Sequence, residues 1–182
     1  MNDHVTGDAE PVFVVVSGPP GSGKSTIARP LARELGLPLV AKDTIKEALM
    51  SVMDVGDVEA SRAIGAASVV AMFAVAADSP RGAVIDCNLH RSRAVADLRR
   101  LPGRVIEVFC RCDREAAIAR YRARAGERAA GHFDGARTPD ELWSADVTEP
   151  VAAGWPVIEV DTNRPVDLGG LVATLVRTTR SA

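Results

Sequence analysis

A nine-residue stretch, Gly18-Pro-Pro-Gly-Ser-Gly-Lys-Ser-Thr26, decides the fold of this 182-residue chain. It follows the apolar run Val12 to Val16, which is typical of a parallel strand buried on both faces. Its glycines allow the backbone to curl until successive N–H groups point at one anion, and a helix begins near Lys24. A strand, a glycine-rich loop and a helix in this order predict a loop that binds phosphate.

The same spacing assigns roles within the loop. We expect Lys24 to reach the outer phosphates of ATP as a catalytic residue, and the Ser25 hydroxyl to hold Mg²⁺. The complete set of expected ATP-binding residues in this segment is Gly18, Gly21, Ser22, Gly23, Lys24, Ser25 and Thr26.

Buried strand-like runs alternate with helical segments along the rest of the chain, which favours a parallel sheet with helices on both faces. We therefore expect one α/β domain over residues 1–182 with three layers. Its glycine-rich loop resembles that of the P-loop NTPases, and this resemblance implies their fold, with five parallel strands in the order 2-3-1-4-5. Residues 1–11 are expected to form a loose leader. Residues 126–139, rich in glycine and arginine, are expected to form a mobile lid.

Two carboxylates follow predicted strands, at the edge where ligands of parallel sheets gather. Asp43 comes directly after the second strand and could deprotonate an acceptor hydroxyl, or could cap a helix that begins at Thr44. Asp86 ends the third strand and could bind Mg²⁺ or serve a structural hydrogen bond. Lys46 lies one turn into the following helix, facing either substrate or solvent.

Three motifs together resemble the small P-loop kinase group, which includes polynucleotide 5′-hydroxyl kinases, chloramphenicol phosphotransferase and zeta toxins. They are the loop at 18–26, the run Lys42-Asp-Thr-Ile-Lys-Glu47 and the run Ile85-Asp-Cys-Asn-Leu-His-Arg91. The resemblance implies that Asp43 is the general base and that Asp86 lies near the metal and substrate. In the polynucleotide kinases, two acidic residues and an aromatic end the second strand, whereas Thr44 follows Asp43 here.

The resemblance also implies ATP contacts later in the chain. Arg120 and Arg124 are four residues apart, hence on one helix face directly before the lid, and a guanidinium suits the oxygens of a transferring phosphoryl group. Related kinases place arginines at these positions against the ATP phosphates. Thr162 and Arg164 would border the adenine or ribose; alternatively, their segment is only a turn before the last helix.

Composition limits the partners. A formal net charge of -2 disfavours nucleic acid as the substrate without excluding it. The apolar run Ala63 to Ala77 is too short to span a bilayer and is expected to be a buried helix.

Three cysteines, an odd number in apolar surroundings, are expected to be buried free thiols, with a local redox role of Cys110 and Cys112 left open. We expect a cytoplasmic protein that does not bind membranes.

The expected function is an ATP- and Mg²⁺-dependent kinase that phosphorylates a hydroxyl of a small molecule such as an antibiotic, a sugar or a metabolite. Two alternatives remain at this point. One is a nucleotide or nucleic-acid 5′-hydroxyl kinase, and the other is a regulatory ATP-binding NTPase without an acceptor.

Overall fold

The computed structural model describes residues 10–125, 132–133 and 138–180. Its strands are β1 (Val12–Ser17), β2 (Leu39–Ala41), β3 (Gly82–Asp86), β4 (Arg104–Arg111) and β5 (Val157–Asp161). Its helices are α1 (Lys24–Leu35), α2 (Lys42–Met50), α3 (Val58–Ala77), α4 (Arg91–Leu98), α5 (Arg114–Ala125), α6 (Pro139–Leu142), α7 (Ala145–Thr148) and α8 (Leu168–Arg180). The predicted leader and lid lie mostly outside the described residues.

The five strands form one parallel sheet in the order β2-β3-β1-β4-β5, as predicted. The alternating side chains of β1 explain why its sequence is apolar throughout. Phe13 and Val15 pack with residues of α3 and α4 on one face of the sheet. Val14 and Val16 pack with residues of α1 and α8 on the other face. Helices therefore cover both faces, and the expected three layers are present.

The strand register brings the predicted site residues to one edge of the sheet. In β1, Val16 lies beside Asp86 of β3, and the loop that begins at Gly18 follows directly. Ala41, the last residue of β2, also pairs with Asp86. The carboxyl ends of three adjacent strands therefore converge, which is where parallel sheets bind ligands.

A buried carboxylate in β4 ties this edge to the segment before β5. Glu107 is fully buried and accepts a hydrogen bond of 2.7 Å from the Ser17 hydroxyl. It also accepts from the backbone N–H groups of Val151 and Ala152 and from the indole N–H of Trp155, at 3.0 to 3.3 Å. Since buried carboxylates are costly unless hydrogen-bonded, these four donors explain how Glu107 is tolerated in the core.

Helix boundaries differ from the predictions at two places. Helix α2 begins at Lys42 with Ala41 as its N-cap, so Asp43 lies in its first turn and is not the cap of a helix that begins at Thr44. The sequence of residues 139–147 predicts a single helix, whereas the structure has two short helices there, because the chain leaves the helical conformation at Trp143 and Ser144.

Helix α3 has the length that its Ala-rich sequence predicts but is more exposed than predicted. Its 20 residues would suffice to cross a membrane by length and composition alone. Within the described residues, α3 instead packs against the core along one of its faces. Its buried residues are Ser61, Ile64, Ser68, Met72, Phe73 and Ala76. The outer face is apolar as well and includes Val70, which is 71% exposed. The expected burial therefore holds for one face of α3 only.

Candidate active site

The glycine-rich loop has a backbone that only glycine adopts readily. Gly18, Gly21 and Gly23 have φ angles of 137°, 79° and 83°. At Gly21 a side chain is excluded by the backbone conformation and also by a clash, because a Cβ atom there would lie 2.1 Å from the carbonyl oxygen of Ala117 in α5. The loop is therefore shaped by its glycines and pressed against the first half of α5.

The loop also has polar groups suited to phosphate. Lys24 is half-buried, and its Nζ donates a 2.8 Å hydrogen bond to the carbonyl oxygen of Pro19. Burial lowers the pKa of Lys24, and the nearby Asp86 carboxylate opposes that shift. Among the described residues, Ser22 has a buried hydroxyl without a hydrogen-bond partner. A phosphate oxygen would satisfy such a donor, so the loop residues fit ATP.

The residues at the end of β3 suit a divalent cation bound together with phosphate. Burial raises the pKa of Asp86, whereas a hydrogen bond from Ser25 and the charge of Lys24 act in the opposite direction. The described residues contain no group of three or more His, Cys, Asp or Glu side chains that could hold a metal by itself. Ser25 and Asp86 therefore fit Mg²⁺ that arrives with the phosphates of a nucleotide, which is how Mg²⁺ is usually bound.

A cavity of about 350 Å³ opens over this edge of the sheet. Most of its walls are polar. Its lining residues are Pro20, Gly21, Gly23, Lys24, Ser25, Thr26, Arg29, Lys42, Asp43, Thr44, Lys46, Glu47, Asp86, Cys87, Asn88, Tyr121, Arg124, His132 and Leu142. The predicted base Asp43, the predicted metal ligands and Lys24, which is predicted to bind phosphate, therefore line one cavity.

Helix α2 supplies the charged wall of the cavity. The Asp43 carboxylate is 54% exposed and lies 2.9 Å from the Nζ of Lys42. Lys46 is 1% exposed, and its Nζ donates a 2.8 Å hydrogen bond to the Ser61 hydroxyl in α3. Of the two positions predicted for Lys46, the structure therefore places it in the cavity wall and not in solvent.

A histidine from the predicted lid region completes that wall. His132 is 4% exposed, and its Nε2 lies 3.2 Å from an Oε1 oxygen of Glu47. Sequence reasoning did not single out Glu47, although its position four residues after Asp43 puts both side chains on one helix face. The contact itself spans 85 positions of the chain and has no local signature.

The two predicted arginines of α5 are placed differently. Arg124 lines the cavity, whereas Arg120 donates two 3.2 Å hydrogen bonds to the carbonyl oxygen of Thr162. Thr162 is itself buried, and a Cβ on Gly23 would lie 3.8 Å from its side chain. Arg164 is 85% exposed and lies 3.9 Å from Asp161. Arg120 therefore connects α5 to the segment after β5.

An aromatic pair joins α5 and α6 to the phosphate-binding loop. Tyr121 and Trp143 are both buried and pack edge to face, with ring centroids 5.4 Å apart. The indole N–H of Trp143 donates a 3.0 Å hydrogen bond to the carbonyl oxygen of Pro20. The sequence favours packing roles for both rings, which agrees with this position, but it has no signal for the hydrogen bond to the loop.

The cysteines do not contribute a nucleophile here. Cys87 lines the cavity, and burial raises its pKa to about 12; burial has the same effect on Cys110. All three cysteines are free thiols, as expected, but only Cys87 and Cys110 are buried, whereas Cys112 is partly exposed. Since the thiolate is the reactive form, Cys87 stays protonated and inert at neutral pH.

The fold and this edge of the sheet define the class of protein. A glycine-rich loop after the central strand, with an acidic residue at the end of the neighbouring strand, is the arrangement of the small P-loop kinases. The chain belongs to the AAA domain family AAA_33, whose model matches residues 13–145.

Named relatives match only short segments. A cytidylate kinase from Pyrobaculum neutrophilum is 53% identical over 51 residues, which are 28% of this chain and 28% of that enzyme. A cytidylate kinase from Ignicoccus hospitalis is 62% identical over 32 residues, or 18% of this chain and 19% of the enzyme. The matched segment thus spans less than a third of the length of these relatives.

Solved structures match nearly the whole chain. A candidate kinase from Chloroflexus aurantiacus is 27% identical with a TM-score of 0.83, covering 93% of this chain and 98% of its own. A gluconokinase from Sinorhizobium meliloti is 20% identical with a TM-score of 0.58, at 93% and 92% coverage. The Mycobacterium tuberculosis APS kinase is 19% identical with a TM-score of 0.62, at 94% and 99% coverage. The resemblance to small P-loop kinases is confirmed.

Proposed function

We propose that this chain transfers the γ-phosphoryl group of ATP to a hydroxyl group of a small molecule, with Asp43 as general base. One observation carries the proposal: Asp43 lines the same cavity as Lys24 and Asp86. A site that only bound or hydrolysed a nucleotide would have less need of a half-exposed carboxylate opposite the phosphate-binding loop.

Each residue has a defined role in the proposed reaction. The acceptor oxygen forms a bond to the γ-phosphorus while the bond to the β–γ bridging oxygen breaks, so that ADP leaves. Asp43 takes the proton of the acceptor hydroxyl, and Lys42 holds its carboxylate in place. Lys24 and Arg124 stabilise the negative charge on the transferring group. Mg²⁺, held by Ser25 and Asp86, would neutralise phosphate charge.

The remaining predicted contacts concern the nucleotide. Thr162 lies beside Gly23 of the loop, and we assign it and Arg164 to the ribose or base of ATP. Arg120 holds the carbonyl oxygen of Thr162 and so acts on the nucleotide through the segment after β5, or turns to the phosphates when ATP binds. Its role as a phosphate contact stays a prediction.

The acceptor is proposed to be a small polar metabolite. The polar cavity supports this, as does the likeness of the fold to a gluconokinase and an APS kinase. A nucleotide acceptor is the second candidate, because the short matches at high identity are all to cytidylate kinases. The proposed location is the cytoplasm, where free thiols such as those of the three cysteines stay reduced.

The test is ADP release by the purified chain with Mg·ATP and a panel of sugars, sugar acids, antibiotics, nucleosides, nucleotides and 5′-hydroxyl oligonucleotides. We expect one class to stimulate turnover, and Asp43→Ala to reduce that turnover by about 10²- to 10⁴-fold while ATP still binds. Asp78→Asn, at an exposed carboxylate beyond the end of α3, is the control. Normal phosphoryl transfer by Asp43→Ala would exclude the base, and acceptor-independent hydrolysis would favour a regulatory NTPase.

A further inference from the structure

The segment at residues 140–146 contacts four separate parts of the fold, and we call it the strap. Two of its acidic residues form ion pairs with neighbouring helices. Asp140 lies 2.6 Å from a guanidinium nitrogen of Arg114 in α5. Glu141 lies 2.8 Å from a guanidinium nitrogen of Arg62 in α3. The strap is therefore attached to α5 and to α3 by contacts that span 26 and 79 positions of the chain.

The middle of the strap lies at the cavity and on the phosphate-binding loop. Leu142 lines the cavity. The next residue, Trp143, donates its indole N–H to the carbonyl oxygen of Pro20 at 3.0 Å. One residue earlier in the loop, the carbonyl oxygen of Pro19 accepts a 2.8 Å hydrogen bond from the Nζ of Lys24. The lysine that is predicted to bind phosphate and the indole of the strap therefore hold adjacent residues of the loop.

The end of the strap is attached to the start of α4. The Asp146 carboxylate accepts hydrogen bonds from the backbone N–H of Ser92 at 2.9 Å and from its hydroxyl at 2.8 Å. The Nδ1 atom of His90 lies 3.2 Å from the same carboxylate. Burial acts to raise the pKa of Asp146, but these hydrogen bonds hold it below its usual value. The strap thereby links the phosphate-binding loop to the segment that follows β3, whose residues Cys87 and Asn88 line the cavity.

We propose that the strap transmits nucleotide binding at the phosphate-binding loop to the walls of the cavity. A nucleotide that draws the Nζ of Lys24 onto its phosphates changes the contacts of Pro19, the neighbour of Pro20. Because Trp143 holds Pro20, a loop that is fixed by nucleotide also fixes the strap, and with it Leu142 in the cavity. Coupling between two sites is reciprocal, so a strap that is loosened at its ends weakens nucleotide binding.

This inference goes beyond the proposed function, because it concerns the binding of nucleotide and not the transfer of a phosphoryl group. Its consequence for a kinase is an order of events: bound ATP sets the shape of the cavity that then receives the acceptor.

Hydrogen exchange tests the transmission at the part of the strap beyond Trp143. In α7, the backbone N–H groups of Val147 and Thr148 donate to the carbonyl oxygen of Ser144. Mg·AMPPNP, at concentrations that saturate each variant, should slow their exchange about fivefold or more in the unmodified chain and less than about twofold in Trp143→Phe. Unchanged exchange on Mg·AMPPNP binding would overturn the inference, as would equal slowing in both proteins.

Nucleotide affinity tests the reciprocal effect. Asp146→Ala removes the contacts to α4 and should raise the Kd of Mg·AMPPNP by about three- to tenfold, measured by calorimetry. In a Trp143→Phe background the same change should raise Kd less than about twofold, because the strap no longer holds the loop. Asp97→Ala is the control, since Asp97 contacts Arg100 within α4, and it should leave Kd unchanged. An unchanged Kd in Asp146→Ala, or an equal rise in both backgrounds, would overturn the inference.

Thermal unfolding first establishes that Asp146→Ala is folded. If it is not, Arg62→Met takes its place, because that change removes the contact of Glu141 with α3 and loosens the strap at its other end. The same rise in Kd is expected, with the same dependence on Trp143, and the same two results would overturn the inference.

These measurements also separate the inference from the proposed function. If the unmodified chain does not bind Mg·AMPPNP, the inference and the proposed function fail together. Unchanged exchange in α7, or equal effects on Kd in both backgrounds, overturns this inference alone and leaves the kinase proposal intact. The expected coupling without turnover of any acceptor supports the inference and contradicts the proposed function.

Discussion

The indole nitrogen of Trp143 donates a 3.0 Å hydrogen bond to the carbonyl oxygen of Pro20, 123 positions earlier in the chain. The ring also packs edge to face on Tyr121 of α5. The short helix α6 is thereby attached to the phosphate-binding loop on the same side as the contact between Gly21 and Ala117. The elements that flank the predicted lid therefore pack directly against the phosphate-binding loop.

Replacing Trp143 by phenylalanine should weaken nucleotide binding. The change keeps a ring beside Tyr121 but removes the hydrogen bond to Pro20, which costs about 0.5–1.5 kcal/mol. We expect a Kd for Mg·ATP raised by a few-fold to about tenfold, measured with a fluorescent analogue. Trp155→Phe is the matched control, because the Trp155 indole donates its hydrogen bond to Glu107. An equal loss of affinity in both variants would contradict the prediction.

Replacing Gly21 by alanine should lower stability and ATP affinity by more than the positive φ of this position alone explains. Gly21 and Gly36 both have positive φ, at 79° and 62°, so an alanine costs about 1–2 kcal/mol at either position. Only at Gly21 would an added Cβ clash, because it would lie 2.1 Å from the carbonyl oxygen of Ala117. A Cβ on Gly36 would have no atom within 4 Å.

Urea unfolding and nucleotide titration check this comparison. Gly36→Ala should lose only the conformational term and bind ATP normally. Gly21→Ala should be clearly less stable than Gly36→Ala and should bind ATP at least tenfold more weakly, because either the loop or α5 must move. Similar stabilities for the two variants would show that α5 yields easily.

Replacing Asp86 by asparagine should stabilise the nucleotide-free chain with a characteristic pH dependence. Burial raises the pKa of Asp86, so the folded chain holds this proton more tightly than the unfolded chain. The stability that protonated Asp86 contributes is fully present below the ordinary carboxyl pKa of 3.8. It is lost as pH rises through the raised pKa of the folded chain. The advantage of Asp86→Asn over the unmodified chain should therefore grow from acidic to neutral pH.

Urea midpoints measured across that pH range, without nucleotide, check the sign. The same variant should lose most of the effect of Mg²⁺ on ATP affinity, because Ser25 alone would remain as a metal ligand. A constant difference in stability at all pH values would mean that Asp86 titrates as it does in the unfolded chain.

Replacing Glu107 by glutamine should destabilise the fold itself. Its carboxylate accepts four hydrogen bonds, and a glutamine would turn an NH₂ group toward donors that then lack acceptors. We expect a loss of about 2 kcal/mol or more in the free energy of unfolding. Glu34→Gln, an exposed carboxylate on α1, should change stability by less than about 0.5 kcal/mol. A comparably small effect of Glu107→Gln would contradict the structural role.

The sequence by itself determined the phosphate-binding loop and the convergence of Asp43 and Asp86 at one edge of a parallel sheet, and the sheet order followed from the resemblance to P-loop kinases. The signals for these features are local: an apolar strand, glycines at fixed spacing, and acidic residues directly after strands. A parallel sheet then places the carboxyl ends of its strands at one edge, so no long-range sequence signal is needed to bring these residues together. The helix break at Trp143 and the start of α2 at Lys42 were missed, because helix ends depend on contacts as well as propensity.

Only the tertiary structure decided which polar side chains share the cavity and which are held elsewhere. It buried Lys46 against Ser61, paired Glu47 with His132, and turned Arg120 toward Thr162. Each of these contacts joins residues 15 to 85 positions apart. A lysine or arginine on a helix has the same local sequence pattern whether it faces solvent or a cavity. The packing of the neighbouring helix sets its environment, and no spacing within one element encodes that.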